Sequence, residues 1–387
     1  MKIKRVEVLG LMGNENPVAF DLNSDLNIVT GLNGSGKTTL LKLMWYVISG
    51  NVQHALEEIA FRRVSVETDQ YTVIVYKVSS NTCRVEFVID GIGEDIEDLF
   101  EEDFDGDRIV REDARDIINE KISPFGSSLF FPTFRRIEGG FSIQSKSRPG
   151  RLFNSARPVK NELQDAIVSV SRRLSSANHT FVTSISTIDV VELLFKKYTE
   201  LSEESNALQR DTSQAVIERI KAFKREGVLD DSSASSEAAS EVLDNIRATI
   251  ENMDATRKSI MAPLQAVQEL GAKLFKHSGI SIGSRFNFGD AATAVNSDSL
   301  SAGEKQMLSF ICYNALTKNS VVFIDEPELS LHVDWQRQLF PTLLSQGTSN
   351  QFIIATHSPF IYGKYPEKEL VLEENRGDSE VVGGTSL

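Results

Sequence analysis

The run Leu26-Asn27-Ile28-Val29-Thr30-Gly31-Leu32-Asn33-Gly34-Ser35-Gly36-Lys37-Thr38-Thr39 decides the fold. Its apolar start, Leu26 to Val29, reads as a short strand, and the Leu40, Leu41, Leu43 and Met44 that follow it carry helical spacing. Between strand and helix, Gly31, Gly36, Lys37 and Thr38 match the phosphate-binding loop without a gap. Glycines let backbone N–H groups converge on an anion, and the helix beginning there adds the positive end of its dipole. Lys37 is placed to neutralise β- and γ-phosphates, and the Thr38 hydroxyl to ligate Mg²⁺. The stretch implies a nucleoside-triphosphate site.

The surrounding chain has 387 residues, 41% apolar and 25% charged, the composition of a soluble globular protein with a sizeable core. No apolar run is long enough for a membrane span, and the alternating N-terminus lacks a signal-peptide core. Cys83 and Cys312 stand alone, so neither a disulfide framework nor a paired-cysteine zinc motif is expected, and the cytoplasm is the expected compartment. The net charge of −14 opposes sequence-independent wrapping of nucleic acid by the whole surface. The charge is uneven: residues 94–120 hold 13 acids against 3 bases, and residues 134–160 hold 7 bases against Glu138 alone. Either stretch is a solvated face or a partner surface.

Residues 1 to about 90 read as strands around one helix, and their alternating segments predict a mixed sheet. The acidic segment is expected as two short helices joined at residues 103–107. Glu101, Asp103, Asp105, Gly106 and Glu112 match a calcium loop only loosely, because Glu holds its first position and Arg108 its eighth. Ser128 to Phe131 reads as a buried strand ended by Pro132, and Gly139 to Pro158 as a long loop. From about Val159 to His277 the pattern is helical. Ile246, Met253, Ile260, Val267 and Leu274 repeat every seven residues, the seam of a coiled coil, with a kink expected at Pro263 and a tip around Gly227 and Ser232–Ser236. Strands resume with Ile280–Phe288, Val321–Ile324 and Phe352–Ala355. The expected organisation is a head in two halves, 1–145 and 280–387, split by a helical arm at 146–279.

Three further motifs complete a site. Val321-Val322-Phe323-Ile324-Asp325-Glu326-Pro327-Glu328 ends a strand in two carboxylates: Asp325 is placed to hold Mg²⁺, and Glu326 to polarise the attacking water. Ser301 and Glu304 form a capping box, with Gly303 in the first turn, so a second helix N-terminus offers a second anion cradle. One subunit does not need two cradles, whereas two subunits set head to tail do. In Ala355-Thr356-His357-Ser358-Pro359, His357 is placed to hydrogen-bond a γ-phosphate.

These four motifs resemble the ABC-type ATPase heads of the SMC, RecF and OLD class, a P-loop α/β fold split by an inserted helical domain. The resemblance implies ATP and Mg²⁺ as cofactors. Asn33, Gly34, Ser35, Gly36, Lys37, Thr38 and Thr39 would hold ATP together with Ser301, Gly303 and Glu304 of a neighbouring copy. Thr38 and Asp325 would hold the metal; Glu326, Lys37 and His357 would be catalytic; Leu329-Ser330-Leu331-His332 would be the D-loop. The family's Q-loop glutamine has no clear counterpart, with Arg135, Arg136 and Gln144 standing near its place. Within the class, Phe131-Pro132-Thr133-Phe134-Arg135-Arg136-Ile137-Glu138 and the short insert resemble anti-phage defence ATPases, first those of the PARIS system and next those of Septu. That resemblance implies a homo-oligomer, an effector nuclease acting in trans (Toprim-type if PARIS-like), and a phage-encoded trigger protein. The basic 134–160 stretch could meet a DNA-mimicking trigger. The alternative is a RecF- or SMC-like repair ATPase that clamps DNA; a transporter subunit fits least.

Overall fold

The computed structural model describes residues 1–102, 108–133, 136–137, 169–176, 178–182, 184–185, 187–226, 234–274 and 301–372. In chain order the strands are β1 Ile3–Leu9, β2 Val18–Asp21, β3 Leu26–Thr30, β4 Arg63–Thr68, β5 Tyr71–Lys77, β6 Cys83–Ile89, β7 Ile92–Glu97 and β8 Leu99–Glu102. They continue with β9 Arg108–Glu112, β10 Ser128–Phe131, β11 Arg136–Ile137, β12 His179–Phe181, β13 Ser184–Ile185, β14 Val321–Asp325, β15 Gln351–Ala355 and β16 Glu369–Val371. The helices are α1 Lys37–Ile48, α2 Val52–Glu58, α3 Ala114–Ile122, α4 Thr187–Glu226, α5 Ala234–Leu274, α6 Ala302–Leu316, α7 Val333–Leu344 and α8 Pro359–Tyr362.

Parallel and antiparallel strands are both present, and they sort into separate sheets. One sheet is antiparallel in the order β2-β1-β4-β5-β6-β7. The other is parallel throughout in the order β12-β10-β14-β15-β3-β16. Burial explains the division. Every residue of β3, β10, β14 and β15 is buried, as strands covered on both faces require. In β4, β5 and β6, buried and more open residues alternate. Helix α1 buries Leu40, Leu41 and every residue from Leu43 to Ile48, apolar nearly all round, and shares one continuous core with residues of both sheets.

Gln351 stitches the sheets at their edge. Its amide nitrogen donates to the carbonyls of Ile3 (2.7 Å) and Asn23 (2.8 Å), and its oxygen accepts from the Ile3 N–H at 2.8 Å. A fully buried glutamine is tolerated here because all three bonds are made.

Three expectations need correction. The acidic segment is not a pair of helices. Asp90 and Gly91, both at positive φ (50° and 77°), turn β6 into β7. Strands β8 and β9 then pair with Phe100 opposite Val110 and Glu102 opposite Arg108, and the segment holds one helix, α3, capped by Asp113. The β-branched Ile109 and Val110 suit a strand by sequence propensity. Glu101 and Glu112 lie on its two strands, unlike the helix–loop–helix of a calcium hand; Asp103, Asp105 and Gly106 fall outside the described residues. The second correction concerns the expected helical stretch from Val159. It contains β12, which pairs with β10 in the parallel sheet, so the compact head runs to Ser186, past the expected boundary at 145. His179 in β12 explains the attachment: Trp45 donates to Ser128 at 3.1 Å, and Ser128 Oγ meets His179 Nδ1 at 2.8 Å. Burial pushes the His179 pKa down to about 4, so the ring is neutral in the core. Third, Ser235 and Ser236, expected in a tip, lie in the first turn of α5.

The second compact unit contains α4 and α5, which pack against each other. Ile246, Met253 and Ile260 of the heptad are half-buried, whereas Leu243 and Ile250 stay exposed. Helix α5 continues through Pro263. The expected loop at 139–158 and the expected strand at 280–288 lie outside the described residues, as do Arg135 and Gln144. No described helix is long and apolar enough to cross a membrane.

Gln351→Leu keeps the volume but leaves the Ile3 N–H and two carbonyls without their partner. A loss of about 3 kcal/mol is expected, read as a lower urea midpoint with an unchanged m-value.

Candidate functional site

The phosphate loop follows the carboxyl end of β3, and its glycines have positive φ where the turn demands it: Gly31 150°, Gly34 84°, Gly36 94°. A Cβ on Gly36 would lie 2.8 Å from the Met12 sulfur, the end of an exposed side chain that can move aside, so it is the dihedral that calls for glycine here. Helix α1 starts at Lys37, and its first backbone bond runs from Leu40 N–H to the Gly36 carbonyl. The N–H groups of Lys37, Thr38 and Thr39 therefore point out of the helix end. Lys37 is buried, and its ammonium donates to the carbonyls of Gly31 (3.1 Å) and Leu32 (2.8 Å), which holds it across the loop.

Asp325, at the carboxyl end of β14 and 1% exposed, is the centre of the site. Thr38 Oγ1 donates to its Oδ1 at 2.9 Å, and Thr133 Oγ1 donates to its Oδ2. Two oxygens bound at right angles to Mg²⁺, each about 2.1 Å away, stand about 3 Å apart. The Thr38–Asp325 pair has that spacing, so these residues fit the metal. Among the described residues no cluster of three or more His, Cys, Asp or Glu forms an all-protein metal site.

Glu326 leaves the strand in a left-handed conformation (φ 47°), and its N–H donates to the Ala355 carbonyl at 2.8 Å. The next parallel strand, β15, delivers His357. The His357 N–H donates to Glu328 Oε1 at 2.7 Å. Partial burial of the imidazole, and then the Lys37 ammonium, hold its pKa below the usual histidine value, against the pull of Glu328 and Asp325. At neutral pH the ring is therefore neutral and can donate from one nitrogen. Lys37, Thr38, Asp325 and His357 are thus brought together.

The second helix N-terminus is also formed. The Ser301 N–H donates to Glu304 Oε2 at 2.8 Å, and the Glu304 N–H donates to Ser301 Oγ at 3.3 Å, closing the expected capping box. Ser301 is exposed. Gly303 has a reason beyond ligand access: a Cβ there would collide with the Ser330 carbonyl. Gln306 adds a bond from its amide to the Pro327 carbonyl at 3.0 Å. The first turns of α6 therefore rest on the turn that follows Asp325.

Thr133 and Gln336 were not identified as site residues from sequence. Thr133 sits just past β10, the strand beside β14, and the only hint was that Pro132 ends a buried strand. Gln336 lies on α7 with no motif around it.

Residues 26–362 match the family described as "AAA domain, putative AbiEii toxin, Type IV TA system". The chain belongs to this AAA-domain family. Two relatives match over short segments. "Endonuclease GajA" of Bacillus cereus (strain VD045) is 40% identical over 63 residues, covering 15% of this chain and 11% of that protein. "Retron Ec83 probable ATPase" of Escherichia coli is 33% identical over 89 residues, covering 20% and 16%. This AAA-domain chain thus spans only a small part of either relative's length. Among solved structures, the Smc head bound to the C-terminal winged-helix domain of ScpA has a TM-score of 0.39 at 14% identity, over 94% of this chain and 91% of that one. A Pyrococcus furiosus Smc head with an extended coiled coil has a TM-score of 0.35 at 15% identity, over the same shares.

Gly303→Ala separates packing from propensity. In an ordinary helix the change would stabilise by about 1 kcal/mol. Here the methyl meets a backbone carbonyl, and a net loss of about 1–3 kcal/mol in urea unfolding is expected; a net gain would show that the 327–331 turn yields freely.

Proposed function

We propose that this protein is an ATPase whose heads pair head to tail around ATP and Mg²⁺, and that it serves as the sensor and scaffold of an anti-phage defence system. The observation that carries the ATPase reading is the Thr38 hydroxyl and the buried Asp325 carboxylate, 2.9 Å apart at the mouth of the phosphate loop. The N–H groups at the start of α1 cradle the phosphates, together with those of Asn33, Gly34, Ser35 and Gly36, while Lys37 neutralises the β- and γ-oxygens. Thr38 and Asp325 would hold Mg²⁺, which when bound would supply charge to offset that developing on the transferred phosphoryl group. Glu326, half-buried beside Asp325, orients and deprotonates the attacking water, and neutral His357 donates to the γ-phosphate. Ser301, Gly303 and Glu304 offer an exposed helix N-terminus, and a second copy's γ-phosphate is the anion that suits it.

The defence role rests on the family's description, on short matches to an endonuclease and a probable retron ATPase, and on the resemblance of the 131–138 motif to anti-phage ATPases. In this reading the effector is a nuclease in trans and the trigger a phage protein, as in PARIS and Septu. A clamp on DNA is the alternative, and a net charge of −14 weighs against it.

Glu326→Gln is expected to slow hydrolysis about a hundredfold or more while ATP binding persists, trapping an ATP-dependent dimer on a light-scattering column. Lys37→Ala loses ATP binding. Mixing Lys37→Ala with Ser301→Ala subunits restores part of the hydrolysis, because a hybrid dimer holds one intact composite site; no rescue despite proven subunit exchange would refute the shared site. For the defence role, purification from its host with ATP should retain a nuclease that leaves on trigger addition, and a preparation free of any nuclease would count against it.

A further inference from the structure

The turn between β14 and α7 is gripped from two sides. On one side lies α6, with Gly303 against the Ser330 carbonyl and Gln306 bonded to the Pro327 carbonyl at 3.0 Å. On the other lies the segment after β15, reached by two links. Glu328 accepts the His357 N–H at 2.7 Å, and its second carboxylate oxygen is buried with no hydrogen-bond partner among the described residues. Gln336 makes the other link: its amide nitrogen donates to the Leu331 carbonyl at 2.8 Å, and its amide oxygen accepts from the Ser358 hydroxyl at 2.6 Å. The same nitrogen lies 3.5 Å from the Glu328 carbonyl. An amide side chain offers a donor to one segment and an acceptor to the other at once.

The gripped turn is conformationally loaded. Glu326 (φ 47°) and Ser330 (φ 70°) are both non-glycine residues in the left-handed region, held there by contacts on either side.

We propose that Gln336 is a positioning residue that couples the N-terminus of α6 to His357. Resting on the composite-site reading above, the inference runs as follows. An anion gripped at Ser301 and Gly303 shifts α6 against the Ser330 carbonyl. The 327–331 turn moves with it, and Gln336 with Glu328 carries the displacement to Ser358 and to His357, whose ring feels the Lys37 ammonium of the chain's own phosphate loop. Each head thereby senses whether its outer cradle is filled before its own site becomes competent. Gln336 touches no substrate in this scheme.

The test uses the full chain with Gln336→Leu, which keeps the shape and removes both bonds, and Gln336→Glu, which places oxygens against two carbonyls. Turnover should fall about tenfold or more in both, the size expected when a reacting group is misplaced. Affinity for a fluorescent ATP analogue should stay within about twofold, since the variants leave the phosphate loop intact. In the Glu326→Gln background, ATP should still drive dimer formation with Gln336→Leu. Gln336→Leu combined with Glu328→Gln should lose less than the sum of the single effects, because both act on the same segment. Wild-type turnover in Gln336→Leu would overturn the inference alone, as would a joint loss of ATP affinity, turnover and melting temperature. A wild-type protein that binds no ATP would instead overturn the ATPase reading, and this inference with it.

Discussion

A single buried carboxylate holds the site together. Asp325 is nearly sealed from water, and a bare charge there would be untenable without partners. Its partners come from far along the chain: Thr38 at the start of α1, before the arm, and Thr133 just past β10. Satisfying one side chain therefore fixes the spacing between α1, β10 and β14. The register of the parallel sheet, with Phe131 beside Ile324 and Asp325 beside Ala355, serves the same end.

The sheet sets where chemistry can occur. Gly31, Thr133, Glu326 and His357 all follow the carboxyl ends of parallel strands, the edge at which open α/β sheets bind ligands. The antiparallel sheet makes a different contribution. It covers α1 on a second side, so the helix that opens the phosphate site is immobilised in the core along most of its length. A helix with no polar face would be unstable on a surface; here it is the shared centre of two sheets.

Sequence revealed most clearly what chemistry requires locally. The loop from Gly31 to Lys37, the strand ending in Asp325 and the Ser301–Glu304 box are contiguous in the chain, and each formed as expected. The hairpins from β6 to β9 were obscured because a run of acids dominates the segment, although Asp90-Gly91 is a strong turn signal. β12 is only three residues long and takes its identity from pairing with β10 and from the buried Ser128–His179 bond, neither of which has a local pattern. Thr133 and Gln336 were hidden for the same reason: a threonine after a proline and a glutamine on a helix gain meaning from what the fold places beside them.

The order of the parallel sheet has a consequence for biosynthesis. β14 and β15 stand between β10 and β3, yet the ribosome makes them only after the long helices of the arm. Until then β3 and β10 wait with open edges, and the phosphate loop is translated without its acidic partner. The nascent chain thus carries the glycine-rich loop and Thr38 before the Asp325 carboxylate that Thr38 bonds has been made. Residues 321–355 are made only after the long helices, so the phosphate loop gains its carboxylate when β14 and β15 enter the sheet between β10 and β3.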